Sequence, residues 1–112
     1  MPCIQTKVNV AVSPEQEARL KTSFGELMPI LRKSEDWLML TFEDRCRLYF
    51  RGDDHPAAFV EVKLYGAADP AAYDKMTAAL TALLNKELNI PSDRIYVKYE
   101  EVKHWGYDGS NF

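Results

Sequence analysis

The sequence predicts an α/β fold in which two β-strand–helix–β-strand units share one four-stranded mixed sheet, with both helices on one face. Three observations carry that prediction. The same order of segments runs through residues 1–56 and again through 57–112 of this 112-residue chain, as a pseudo-repeat within one domain. Ser13-Pro14 and Asp69-Pro70 stand at the same point of each half, a cap residue followed by a proline whose missing N–H is no loss in the first helical turn. Behind each lies an apolar stripe at helical spacing.

In order along the chain, the run from Cys3 to Val10 is the first strand, opened by Pro2, which needs no ladder partner for its nitrogen at a strand start. The first helix follows Ser13 and carries Leu20, Phe24, Leu27 and Leu31 on one side. Pro29 falls inside this pattern, so the helix should kink or end there. Trp37 to Phe42 is the second strand. Leu48-Tyr49-Phe50 is a short strand candidate, and Arg51-Gly52-Asp53-Asp54-His55-Pro56 is a turn-forming run. The second half opens with the strand Ala58 to Tyr65 and continues with a helix bearing Tyr73, Met76, Leu80, Leu83 and Leu84. It then returns as the strand Ile95 to Tyr99. The aromatic, glycine-rich tail from His104 to Phe112 is expected to pair with a neighbouring subunit or to line a pocket. With both helices on one side, the other sheet face is bare. Ile4 with Leu40 or Phe42 is expected on it, so subunits should cover one another's sheets.

A net charge of −3 without a basic run argues against a nucleic-acid partner. No apolar stretch approaches the length of a membrane span, and the first residues lack the pattern of an export signal. Membrane insertion is therefore not expected. Cys3 and Cys46 form no Cys-x-x-Cys pair and are read as reduced and mostly buried, and His55 and His104 lie at no ligand spacing. No metal and no cofactor are expected.

The residue with chemical potential is Pro2. A methionine before so small a residue is usually trimmed, which would leave Pro2 with a secondary amine. An α-amino group titrates at roughly 8, and burial or a nearby cation lowers that value, so such an amine is a proton acceptor near neutral pH.

Taken together, the Met-Pro start, Leu31-Arg32-Lys33, Phe50-x-Gly52 with Pro56, Ser92-Asp93-Arg94-Ile95-Tyr96-Val97 and the closing Gly106-Tyr107-x-Gly109-Ser110-Asn111-Phe112 resemble the macrophage migration inhibitory factor branch of the tautomerase superfamily, end to end. The resemblance implies a homotrimer with an active site at each subunit interface and a 1,3-proton shift, the keto–enol interconversion of phenylpyruvate and related α-keto acids. It assigns Pro2 as the acid–base residue and Lys33 as its cationic neighbour, which holds the substrate carboxylate or enolate oxygen. It places Tyr65 where a backbone N–H binds substrate, and Tyr96 where a neighbouring subunit supplies a pocket tyrosine. Lys98 stands where the family typically has an asparagine that contacts substrate; it either binds an acid group or pairs with Glu61 or Glu100. Trp37, Phe50, Tyr107 and Phe112 match positions at the pocket mouth. The implied location is cytoplasmic, or secreted without a signal peptide. The alternative function is that of a cytokine-like protein that binds a protein receptor, with ancillary tautomerase activity. The Cys-x-x-Cys of some members is replaced by Ala57-Ala58-Phe59-Val60, so thiol oxidoreductase chemistry does not carry over.

Overall fold

A computed structural model describes all 112 residues. Its main sheet contains β1 (Pro2–Val8), β2 (Met39–Glu43), β3 (Ala58–Tyr65) and β4 (Ile95–Val102) in the order β2-β1-β3-β4. β1 runs parallel to β2 and β3 parallel to β4, while the central pair β1 and β3 is antiparallel. The sheet is therefore mixed, and its two halves are the two β-strand–helix–β-strand units expected from the repeated pattern. The helices α1 (Pro14–Glu26) and α2 (Pro70–Leu88) pack on one face. Neither helix is long and apolar enough to cross a membrane.

The two helix starts use their cap residues differently. Ser13 Oγ accepts the Gln16 N–H at 3.1 Å while Gln16 Oε1 accepts the Ser13 N–H at 2.9 Å, a reciprocal capping box. Asp69 is extended in the cap position, but its side chain makes no cap hydrogen bond; its carbonyl accepts from Ala72 and Tyr73. Pro29 acts as expected: α1 ends at Glu26 and the chain tightens into a 3₁₀ turn over Met28–Leu31. That turn closes at Arg32, in the left-handed conformation at φ 55°, with the Lys33 N–H on the Met28 carbonyl at 3.1 Å.

Fourteen buried residues form the core. Ile4, Val8, Val60 and Val62 of the sheet lie beneath Leu20, Phe24, Met28 and Leu31 from the first half and Met76, Leu80, Leu84 and Leu88 from the second. Each fully buried large aliphatic side chain contributes about 1.5–3 kcal/mol. Leu27, Tyr73 and Leu83 pack at the rim of this cluster.

The bare face differs from expectation. Ile4 is fully buried under the helices, and Leu40 and Phe42 also face them. The even positions of β1 point at the helices, so the open face carries Cys3, Gln5 and Lys7, matched across the sheet by Phe59, Glu61 and Lys63 and then by Tyr96, Lys98 and Glu100. That face is largely polar, and the apolar-cover argument for an oligomer does not apply to it. The strand candidate Leu48-Tyr49-Phe50 also does not form. Only Phe50 pairs, with Asp53, across a tight turn in which Arg51 (φ 56°) and Gly52 (φ 80°) are both left-handed.

One core group lacks a partner: the Thr6 hydroxyl is buried and makes no hydrogen bond. Replacing Thr6 with valine keeps the shape and removes the desolvated polar atom. Thermal denaturation is expected to show Thr6→Val more stable by about 1 kcal/mol, or roughly 4 °C in Tm.

Candidate active site

Pro2 is buried at the start of β1, opposite Leu64 of β3, at the floor of a cavity of about 520 Å³. Four parts of the chain build the walls: the first residues of β1, the short turn Glu35–Trp37 leading to Met39, Lys63 of β3, and the C-terminal tail. The tail folds as a hairpin of β5 (Gly106–Tyr107) and β6 (Ser110–Asn111), turned by Asp108 (φ 51°) and Gly109 (φ 86°). Asp-Gly is the dipeptide such a turn demands, so the hairpin was signalled locally although the tail lacks periodicity. Its aromatic residues pack back onto the body of the chain. Trp37 meets Tyr107 edge-on at 5.2 Å, Tyr107 stacks on Phe112 at 6.4 Å, and Phe112 packs on Tyr65 at 5.5 Å. Trp37, Tyr107 and Phe112 each remain about half exposed, at 49%, 51% and 59%. They form an apolar wall that still faces solvent, as a binding surface requires.

The N-terminal residue bears on Pro2 directly. The Tyr65 N–H donates to the Met1 carbonyl at 3.1 Å. Lys33, projected by the left-handed Arg32, donates from Nζ to the Tyr65 carbonyl at 3.2 Å. Lys33 itself lines a separate cleft, with Ile30, Ala68 and Ala72. Burial and then the Lys33 charge lower the pKa of the Met1 amine below its ordinary value. Pro2, Lys33, Tyr65, Trp37, Tyr107 and Phe112 are thus gathered at one end of the sheet.

Phe50, Tyr96 and Lys98 are not brought to that end within the chain. Tyr96 pairs with Phe59, which pairs with Lys7, at the far end of β1 from Pro2. There Phe50 meets Tyr96 edge-on at 5.0 Å beside a second cavity of about 320 Å³. Tyr96 is 62% exposed, and Ile95 and Val97 face the helices as their alternation implies. Lys98 lies on the open face with Nζ 2.8 Å from Glu100 and 3.9 Å from Glu61. Glu100 raises the pKa of Lys98, and Lys98 in turn lowers that of Glu100. Both cysteines are free and partly buried; burial raises the pKa of the Cys3 thiol.

Three residues of these cavities were given no role by the sequence: Trp105, Lys63 and Arg94, the last present only as part of the Ser92–Val97 motif. Lys63 was within reach of parity, since it shares a strand face with Tyr65. Arg94 was not, because its burial depends on a distant loop. Its guanidinium donates to the Pro56 carbonyl at 2.9 Å and the His55 carbonyl at 3.0 Å, contacts Asp53 at 2.8 Å and lies 5.3 Å from the Phe50 ring centre. Arg94 therefore ties the turn 51–56 to the aromatic pair. Arg94→Met strands those carbonyls and is expected to cost about 2–3 kcal/mol by urea denaturation.

The Asp53 carboxyl is held below its usual range, first by the His55 N–H and further by the Arg94 guanidinium. A depressed carboxyl stabilises above its unfolded pKa, and that contribution disappears as pH falls through the lower folded value. The stability difference between the parent chain and Asp53→Asn is therefore expected to persist above about pH 4 and to close below it in a pH series of denaturation curves.

The sequence pattern described as Macrophage migration inhibitory factor (MIF) matches residues 1–112. The chain is similar to the macrophage migration inhibitory factor homolog of Brugia malayi, 25% identical over 100% of this chain and 99% of that protein. It superimposes on the crystal structure of Leishmania major MIF2 with a TM-score of 0.94 and 38% identity, covering 100% of this chain and 97% of that one. The macrophage migration inhibitory factor homologue of Prochlorococcus marinus superimposes with a TM-score of 0.90 at 28% identity, over 98% of each chain.

Proposed function

The chain belongs to the macrophage migration inhibitory factor family, and from that premise we propose that it is a tautomerase of phenylpyruvate-type α-keto acids, with Pro2 as its acid–base residue once Met1 is removed. The observation that carries this reading is the contact of the Tyr65 N–H with the Met1 carbonyl beside Pro2, within the field of Lys33. Excision of Met1 frees that N–H to bind a substrate oxygen and turns the Pro2 imide nitrogen into a secondary amine. The groups that depress the pKa of the present terminal amine, burial and the Lys33 charge, then act on Pro2 and favour its neutral form.

In the reaction, the neutral Pro2 amine takes the proton from the carbon next to the substrate carbonyl. Negative charge develops on the carbonyl oxygen, where the Tyr65 N–H and the Lys33 ammonium oppose it. The protonated Pro2 then returns its proton to that oxygen, which completes the 1,3-shift to the enol. Trp37, Tyr107 and Phe112 supply the apolar wall for the substrate's aromatic ring. In this reading the protein is a homotrimer, and Phe50, Tyr96 and Lys98 reach the site from a neighbouring copy. Their separation from Pro2 within one chain supports that assignment. Sedimentation at three times the chain mass is expected, and a monomer would remove Tyr96 from the site.

The first experiment pairs intact mass with phenylpyruvate turnover on one sample, before and after aminopeptidase treatment. Activity should track loss of Met1, and Pro2→Gly should lower kcat/KM at least about 100-fold. A processed chain with no turnover would overturn the reading. Because the base must be neutral, kcat/KM should rise with pH through the Pro2 pKa. Lys33→Met removes the smaller of the two causes that depress it and leaves burial in place, so the rising limb should move to higher pH.

A further inference from the structure

The cavity over Pro2 holds a second lysine that the proposed chemistry does not use. Lys63 projects from β3 onto the open face, half-buried, and lines the cavity together with Gln5 and Cys3. Its Nζ donates to Gln5 Oε1 at 2.6 Å; Glu100 lies opposite it on β4 and feels its charge, but makes no direct ion pair with it and instead contacts Lys98 at 2.8 Å. An ammonium has three donors, so two remain after the Gln5 contact, and the Gln5 amide has its own N–H groups to offer. An ammonium whose direct partner is a neutral amide can exchange that contact, or add to it, for a charge-assisted hydrogen bond to an incoming carboxylate. Lys98 does not compete for this role within the chain, because Glu100 and Glu61 already surround its ammonium.

Position defines what the site would take. Lys63 and Tyr65 lie two residues apart on one strand face, about 7 Å along the strand. The Tyr65 end carries the N–H and the Lys33 ammonium that receive a keto-acid head, and the Lys63 end carries donors for a second acidic group. We infer that Lys63, with Gln5, forms a distal carboxylate subsite of the Pro2 cavity, so that among α-keto acids those carrying a second carboxylate are bound more tightly than those without one. This inference rests on the cavity being the substrate site of the proposed tautomerase.

The test reads binding separately from turnover. Both tryptophans of the chain, Trp37 and Trp105, line this cavity, so their fluorescence reports its occupancy. With Met1 removed, the protein is titrated with malate, a four-carbon diacid, and with 2-hydroxybutanoate, which has the same length but no distal carboxylate. The parent chain should bind malate at least about tenfold tighter, the size of one charge-assisted hydrogen bond. Lys63→Met and Lys63→Gln should each erase most of that preference, and Lys63→Arg should restore it. Equal affinity for the two ligands in the parent chain would overturn the subsite, as would variants that weaken both ligands in parallel or leave the ratio unchanged. Loss of phenylpyruvate turnover in the parent chain would instead fail the tautomerase reading, and the binding ratio would still report on Lys63.

Discussion

The alternation along β1 is the constraint on which the rest of the structure depends. Ile4 and Val8 must face the helices, because they complete the floor of the only layer that can hide Leu20, Phe24, Leu80 and Leu84. With a side-chain period of two, that demand fixes Pro2 on the buried side and Cys3, Gln5 and Lys7 on the other. A slip of one residue would put Gln5 in the core and lift Pro2 off its floor. Placement of Pro2 is thus a consequence of core packing more than of any local preference at the N-terminus.

From β1 the same logic spreads across the sheet. Its antiparallel partner β3 sets Leu64 opposite Pro2, so Tyr65 follows with its N–H at the chain start and Lys63 precedes it on the open face. β4, parallel to β3, carries Tyr96 to the far end of the strands. The aromatic residues consequently divide into two groups, one around Pro2 and one around Phe50. The second group is braced by the buried Arg94, whose hydrogen bonds to the 51–56 turn satisfy carbonyls that would otherwise be stranded. Charge is arranged by the same alternation: Lys98 makes direct ion-pair contacts with Glu100 and Glu61 on its own face, whereas Lys63 bonds Gln5 and feels Glu100 only from beyond ion-pair distance.

Much of this was legible before the structure. The two proline-led helices, the end of α1 before Pro29, the strand Ala58–Tyr65 and the packing of Tyr96 opposite Ile95 and Val97 all follow from local rules of spacing and backbone chemistry. The errors have equally definite causes. Ile4 faces the helices and not the open side, because an apolar residue in a short strand flanked by mixed neighbours does not reveal which side its helices occupy. Leu48-Tyr49-Phe50 has strand-forming residues, yet the left-handed pair Arg51 and Gly52 folds Phe50 back onto Asp53 before a ladder can form. The tail's hairpin rests on a single Asp-Gly step, too short to register as periodicity.

By itself, the sequence determined the order of elements, the mixed four-stranded sheet and the candidates Pro2, Lys33 and Tyr65, because capping, periodicity and motif all act over a few neighbouring residues. Only the tertiary structure decided that the open face is polar, that Phe112 closes on Tyr65, that Lys98 is held by acids and that Lys63 is left facing the Pro2 cavity. Those outcomes depend on register between strands far apart in the chain, and register is set when the whole core closes at once.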